Sequence, residues 1–120
     1  MNLHADIEEQ LINAFGDRLT APPRQTLDAL EAQFDTGLVL QIRYPDLDEY
    51  SLRWHYGEHA LGIDTAPLHH GLDSFPNHLH DRDGRIVADP FTRPGRNAWE
   101  NLHPLIVRLL EDPWLEAQPT

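Results

Sequence analysis

The sequence contains no cysteine and no lysine, and it has no long run of apolar residues. The absence of cysteine excludes disulfide bridges, thiolate metal sites and cysteine nucleophiles. A membrane-spanning helix needs roughly 18–20 consecutive apolar residues, and no segment approaches that length. The first residues carry neither a basic cluster nor an apolar stretch, so we expect no secretory signal and a cytoplasmic location.

Positive charge is also scarce, because 9 arginines face 20 acidic residues and the formal net charge is −11. Residues 1–50 carry a balance of −7, whereas residues 51–100 carry only −2 and hold six of the eight histidines. Such a protein is not a general nucleic-acid coat, because phosphate binding depends on lysine and arginine. The middle segment can still accept an anion locally, especially when histidines are protonated.

The length of 120 residues predicts a single domain over residues 1–120. Near the N-terminus, the apolar spacing predicts a helix over residues 6–15, with Asp6 as its N-cap. Gly16 is expected to end this helix in the left-handed conformation. At the other end of the chain, we expect the tail to fray from about residue 113.

Alternation of apolar and polar residues predicts an antiparallel, meandering sheet of about four to five strands. The expected strands lie at 30–34, 38–44, 50–56, 60–65 and 85–88. Asn97 and Glu100 have the spacing of a capping box and begin a C-terminal helix, which Pro104 is expected to interrupt or kink. The predicted fold class is therefore α+β: an N-terminal helix, the sheet, a His/Pro-rich loop at 66–81 and a C-terminal helix packed on the sheet.

The loop at 66–81 is the feature that suggests chemistry, because long loops in compact domains often carry function. His78 and His80 lie two positions apart, so an extended backbone would direct both side chains to one side. Asp64 precedes the loop, and a carboxylate can orient an imidazole by accepting its N–H. Histidines also occur in such loops for structural reasons, as partners of backbone carbonyls.

Imidazoles transfer protons near neutral pH without a cofactor. Two of them, together with an arginine that binds phosphate, can cleave RNA through its own 2′-hydroxyl group. The sequence therefore predicts a ribonuclease site that uses no cofactor. Its candidate catalytic residues are Asp64, His69, His70, His78, His80 and Arg53, with Arg82 and Arg85 as further candidates for the phosphate.

Two alternatives stay open. Zinc or another divalent metal could bind the same histidines in a metal-dependent hydrolase, although adjacent His69 and His70 tend to diverge and the spacing matches no strong zinc signature. The chain could also be a non-catalytic, acidic protein-interaction module that meets a basic partner. Trp99 and Trp114 are candidates for a homodimer contact. The histidines outside the loop are expected to be bystanders, namely His4, His55, His59 and His103.

Two stretches carry a family resemblance: Asp64-Thr65-Ala66-Pro67-Leu68-His69-His70 and Ser74-Phe75-Pro76-Asn77-His78-Leu79-His80. They resemble the TumE-type toxins of bacterial and archaeal toxin–antitoxin systems, which carry Asp-Asn-Ala-Pro-His-His followed by Thr-Phe-Pro-His-His-Lys-His. The resemblance covers roughly residues 29–90.

The chain departs from that pattern at three positions. Leu68 is inserted before the histidine pair, Asn77 replaces a histidine and Leu79 replaces a lysine. The resemblance implies a small toxin with an antitoxin partner. Many such toxins are ribonucleases, so by analogy it also implies an RNA target bound through a local patch. The net charge of −11 separately argues against a membrane partner, because anionic membrane surfaces attract basic segments.

Overall fold

The computed structural model describes residues 3–116, and in them one antiparallel sheet of seven strands is combined with two helices. Helix α1 (His4–Phe15) precedes the sheet and helix α2 (Ala98–Glu111) follows it. Each strand pairs with the next one along the chain. The strands are β1 (Arg24–Gln25), β2 (Leu30–Gln33), β3 (Val39–Asp46), β4 (Glu49–Tyr56), β5 (His59–Asp64), β6 (His78–His80) and β7 (Ile86–Val87).

The hydrophobic core lies between one face of the sheet and the two helices. Alternate residues of β3 and β4 point into it, as the period of two requires. The helices contribute stripes at three- and four-residue spacing. Fully buried core residues include Ile7, Leu11, Leu40, Ile42, Leu52, Trp54, Ile63, Leu102, Ile106 and Leu109. Each large aliphatic side chain buried in this way contributes about 1.5–3 kcal/mol.

The opposite face of the sheet carries the residues that alternate with the core. On β4 these are Ser51, Arg53 and His55, and on β5 they include Gly62 and Asp64. No helix among residues 3–116 packs on this face, which we call the open face. In the same residues, neither helix is long and apolar enough to cross a membrane.

The α+β class, both helices and the meandering order of the strands are confirmed, whereas the predicted strand count was too low. The sheet has seven strands because β1 and β6 also pair with their neighbours. Strands of two and three residues are too short to show alternation. The predicted loop at 66–81 was therefore wrong at its end, where residues 78–80 form β6.

The predicted start of the first helix was also wrong. Helix α1 begins at His4, and Asp6 lies within its first turn. Leu3 N–H donates to the carbonyl of Tyr44, while the Tyr44 N–H donates to Nε2 of His4. These bonds to β3 fix the helix start in place of a side-chain cap.

The ends of the two helices differ from one another. Gly16 has right-handed backbone angles, with φ at −54°, so it is not the left-handed residue that we expected. A Cβ at this position would lie 2.6 Å from the Ile12 carbonyl oxygen, which favours glycine there. The capping role of Asn97 is confirmed, because its side chain accepts from the N–H groups of Trp99 and Glu100. Helix α2 continues through Pro104.

The segment after α2 returns to the sheet. Trp54 donates through Nε1 to the carbonyl of Pro113 at 2.9 Å. The ring of Trp114 lies edge-on to Tyr56, with 5.4 Å between ring centroids. The frayed tail predicted from about residue 113 also includes residues 117–120, which lie outside the described residues.

Candidate functional site

Strand pairing alone brings four of the predicted site residues to one end of the open face. Asp64 of β5 pairs with His78 of β6, and Gly62 pairs with His80 in the next position. On the other side of β5, Gly62 pairs with Arg53 of β4. Because directly paired residues in antiparallel strands share a face, these side chains are cross-strand neighbours.

The carboxylate of Asp64 lies between two imidazoles. Its Oδ1 is 3.1 Å from Nε2 of His78, and its Oδ2 is 3.4 Å from Nε2 of His80. Oδ1 also accepts the backbone N–H of Ala66 at 3.0 Å, which holds the carboxylate in this orientation. The pair of histidines and the carboxylate therefore form one unit, which we call the Asp–His cluster (Asp64, His78 and His80).

Exposure differs sharply within the Asp–His cluster. The side chain of His78 is 2% exposed, that of Asp64 is 28% exposed and that of His80 is 41% exposed. With so little exposure, His78 cannot contact a large ligand directly. His80 and Asp64 are the members that solvent or a ligand can reach.

The loop of residues 65–77 separates the two adjacent histidines. The ring of His69 lies edge-on to that of His78, with 4.6 Å between ring centroids, so His69 extends the Asp–His cluster. His70 points elsewhere and stacks on the exposed ring of Phe75 at 4.5 Å. The structure thus brings together five of the six predicted catalytic residues and leaves His70 apart.

A pocket of about 350 Å³ opens beside the Asp–His cluster. Arg53, Asp64 and His80 all line it, together with Gly62. Since Gly62 has no side chain, it leaves space between Arg53 and His80, and a Cβ there would approach the Leu52 carbonyl oxygen at 3.1 Å. The pocket is large enough for a phosphate group and part of a sugar.

The arginines around the site are not equivalent. Arg85 pairs with Asp81 and Asp83, and Arg82 pairs with Glu116 while lying over the ring of Trp114. Within residues 3–116, four arginines have no carboxylate within ion-pair distance, namely Arg43, Arg53, Arg93 and Arg96. Arg53 is the one that lines the pocket, so it is better placed for an anion than Arg82 or Arg85.

A buried polar network next to His78 was missed by the sequence analysis. The Asn77 amide N–H₂ group donates to the hydroxyl of Tyr50 at 2.7 Å and to the carboxylate of Asp89 at 3.1 Å. Thr92 joins the network through its hydroxyl, 2.7 Å from the Tyr50 oxygen. All four side chains are buried. Asn77 immediately precedes β6, so the network holds the strand that carries His78.

Burial keeps the hydroxyl groups of Tyr50 and of its neighbour Tyr44 neutral. Burial raises the pKa of Tyr50, and it raises the pKa of the stacked neighbour Tyr44 to about 12. Asn101 donates to the Tyr44 hydroxyl at 3.0 Å. Thr92 donates its only hydroxyl proton to Asp89, so Tyr50 donates to Thr92 and accepts from Asn77, which satisfies both capacities of the Tyr50 hydroxyl group.

Sequence signals for these missed residues were weak. An isolated glycine within a strand, such as Gly62, often marks a place of close approach, and that signal was available. Asn77, Asp89 and Thr92 lie in irregular segments, and no local pattern shows that they meet. Tyr50 and Trp54 of β4 are buried, so these aromatic side chains face the core and not the open face.

The histidines predicted to be bystanders lie outside the Asp–His cluster. His4 is buried and bonded to β3, while His59 and His103 contact aromatic rings elsewhere. His55 shares the open face with Arg53. Trp99 and Trp114 are both half-buried against their own chain, and the homodimer contact stays a prediction.

A family model described as Toxin TumE matches residues 4–114 of the chain. The match includes both helices and all seven strands, so it is far wider than the resemblance in the histidine loop. No curated protein and no solved structure matches the chain significantly.

Proposed function

The chain belongs to the TumE toxin family, and from this premise we propose that it arrests growth as a ribonuclease that needs no metal ion. Family membership makes it a toxin component of a toxin–antitoxin system, with an antitoxin protein as its partner. The ribonuclease chemistry is inferred from the site, because a fold does not specify a reaction. The observation that carries it is the placement of Arg53, Asp64 and His80 around one open pocket.

His80 is the general base in this proposal. Its Nε2 lies 3.4 Å from Asp64, and a proton held there leaves Nδ1 as the nitrogen with a free lone pair. Nδ1 removes the proton of the ribose 2′-hydroxyl group. The 2′-oxygen then forms a bond to phosphorus while the bond between phosphorus and the 5′-oxygen breaks.

The other site residues serve the leaving group and the phosphate. His69 in its protonated form gives a proton to the departing 5′-oxygen. Arg53 binds the phosphoryl oxygens, on which negative charge increases during the reaction. His78 is too buried to touch RNA, and it acts as a positioning residue between Asp64 and His69. The products are a 2′,3′-cyclic phosphate and a 5′-hydroxyl end.

The net charge of −11 opposes RNA binding, and the site provides positive charge for phosphate only locally. Arg53 has no carboxylate within ion-pair distance among the described residues, so its charge is available to phosphate. We expect weak binding, because few phosphate contacts support it, and each contact to a single strand adds about 0.7 to the slope of log K against log salt. A substrate of a few single-stranded nucleotides suits a pocket of this size better than a long duplex.

The test uses the full chain without a histidine tag and an RNA oligonucleotide in the presence of EDTA. We expect cleavage that yields cyclic phosphate ends, and no cleavage of an oligonucleotide that lacks the 2′-hydroxyl group. The His80→Gln variant should be inactive, whereas His103→Gln on the surface of α2 should match the unchanged protein. Cleavage of the deoxy oligonucleotide would contradict the proposal.

Growth after induced expression gives the cellular counterpart. Arrest by the unchanged protein, with normal growth when His80→Gln is expressed at the same level as folded protein, is the expected result. Arrest by both proteins would show that toxicity depends on binding, as the interaction-module alternative requires. In the RNA assay, cleavage only when a divalent metal ion replaces EDTA would favour the metal-dependent hydrolase.

A further inference from the structure

We propose that the Asp–His cluster is also a reversible binding site for a divalent transition-metal ion such as Zn²⁺, and that the ion switches the site off. The inhibitory half of this statement rests on the proposed ribonuclease function. The binding half rests only on the geometry of Asp64, His78 and His80.

The donor set has the composition that such ions prefer. Two imidazole nitrogens and one carboxylate oxygen bind zinc and its neighbours in the first transition row. Magnesium and calcium prefer oxygen ligands throughout, so this cluster discriminates against them. The positive charge of the ion would also offset the Asp64 carboxylate, which lies between neutral rings when the histidines are unprotonated.

Distances within the cluster are close to those required around one ion. One donor atom from each residue lies within 4.8 Å of the others, and the nitrogen–oxygen distances are 3.1 and 3.4 Å. Ligands at tetrahedral positions, about 2.0–2.1 Å from zinc, are roughly 3.3 Å apart. Small side-chain rotations would therefore place all three donors on a single ion, with its remaining position facing the pocket.

The surroundings of the cluster favour exchange of the ion over permanent retention. One feature favours retention, because Asp64 is held by the backbone N–H of Ala66, as a ligand in a fixed site would be. The surroundings of His78 have the opposite effect. Nδ1 of His78 is buried without a hydrogen-bond partner among the described residues, whereas a tightly held metal-binding histidine donates its second N–H. Loss of such a partner weakens metal binding roughly 10–100-fold, so we expect the ion to be held less tightly than in a site whose histidines are all hydrogen-bonded.

Binding of the ion conflicts with proton transfer by His80. When Nε2 coordinates the ion, the ring proton must sit on Nδ1, which then has no lone pair to accept another proton. The same ion would occupy Asp64, which orients the ring in the proposed reaction. A metal-bound cluster is therefore an inactive ribonuclease site.

The test titrates Zn²⁺ alone into the full, tag-free chain after metal removal, with heat as the readout. The absorption spectrum with Co²⁺ reports the coordination geometry independently. We expect one ion per chain and a tetrahedral or five-coordinate cobalt spectrum. Asp64→Asn and His80→Gln should each weaken Zn²⁺ binding at least about tenfold, and the His80 side chain is only half-buried. His103→Gln is the matched control and should bind normally.

RNA cleavage is then measured at increasing Zn²⁺ and again after EDTA is added. Activity should fall in proportion to occupancy and return with EDTA. No binding, or equal binding by His80→Gln, would overturn the site itself. Cleavage that needs the ion would overturn the inhibitory role. If the metal-free chain cleaves no RNA, the inhibitory role fails with the proposed function, while the titration still decides the metal site.

Discussion

Oδ1 of Asp64 lies 3.1 Å from Nε2 of His78, at the point where β5 pairs with β6. The two residues are directly opposite one another in the ladder, so the backbone fixes their contact. His80 lies two positions further along the same strand and reaches the other carboxylate oxygen. One carboxylate therefore controls the orientation of a buried ring and of an accessible ring.

Asp64→Asn tests this control of orientation. The amide has the same shape, but its nitrogen side cannot accept an N–H, so the rings lose one fixed orientation. We expect kcat for RNA cleavage to fall about 10²-fold or more with a small change in KM, because acid–base catalysis contributes 10²–10⁴-fold. The pH profile of kcat should also change shape. A profile of unchanged shape, or a loss confined to KM, would show that Asp64 is only structural.

Arg53→Ala tests the phosphate contact. The variant should bind RNA more weakly, and the slope of log K against log salt should decrease by about 0.7, the value for one lost contact to a single strand. Arg85→Ala is the control, because Arg85 already pairs with Asp81 and Asp83. Equal effects of the two substitutions on RNA binding would contradict a specific contact between Arg53 and the phosphate. Binding at several salt concentrations provides the measurement.

The two adjacent loop histidines should behave differently. His69 contacts the ring of His78, whereas His70 stacks on Phe75 outside the Asp–His cluster. We expect His69→Gln to reduce cleavage by at least about tenfold more than His70→Gln. Single-turnover rates of the two folded variants make the comparison. A larger loss from His70→Gln would show that His69 is not the residue that makes the second proton transfer.

Asn77→Ala should strongly destabilise the fold. The substitution removes the donor to Tyr50 and Asp89 and leaves buried polar groups without partners. We expect the free energy of unfolding to fall by about 2–4 kcal/mol in urea denaturation. The exposed helical Asn13→Ala should change it little or raise it slightly. A loss below about 1 kcal/mol would mean that the network does not hold β6 in place.

His4 should make stability depend on pH. Burial lowers the pKa of His4 below its ordinary value of 6.5, with a smaller opposing effect of Asp28 and a reinforcing effect of Arg43. Between pH 6.5 and the lowered pKa, the unfolded chain therefore binds a proton at His4 and the folded chain does not. This contribution to stability is complete above that pH and is lost as the pH falls towards the lowered pKa.

His4→Gln removes this titration, and the informative quantity is the difference in unfolding free energy between the unchanged protein and the variant. That difference should become smaller as the pH falls from about 7.5 to about 5.5. His103→Gln controls for an exposed histidine. A difference that stays constant with pH would contradict the role of His4.

The sequence predicted the elements that are long enough to show a period. Alternation in β3 and β4 and the Asn97 cap were sufficient for the core sheet and the second helix. It could not predict the start of α1, because bonds to Tyr44 across the fold outweigh the local capping signal of Asp6. Tertiary contacts of this kind override weak local preferences.

For the site, residue types and spacing were enough to nominate the Asp–His cluster. They were not enough to separate His69 from His70, because the path of an irregular loop decides which ring turns inward. The difference among the arginines was hidden for a similar reason. Arg82 and Arg85 lie close to the loop in sequence, yet acidic partners occupy both of them.

The order of the strands has a consequence for synthesis of the protein. Since each strand pairs with its successor, β1 to β5 can assemble while later residues are still on the ribosome. Asp64 then stands at an unpaired edge without either cluster histidine. The Asp–His cluster becomes complete only when residues 78–80 have emerged and added β6, so under the proposed mechanism the nascent chain cleaves no RNA before that step.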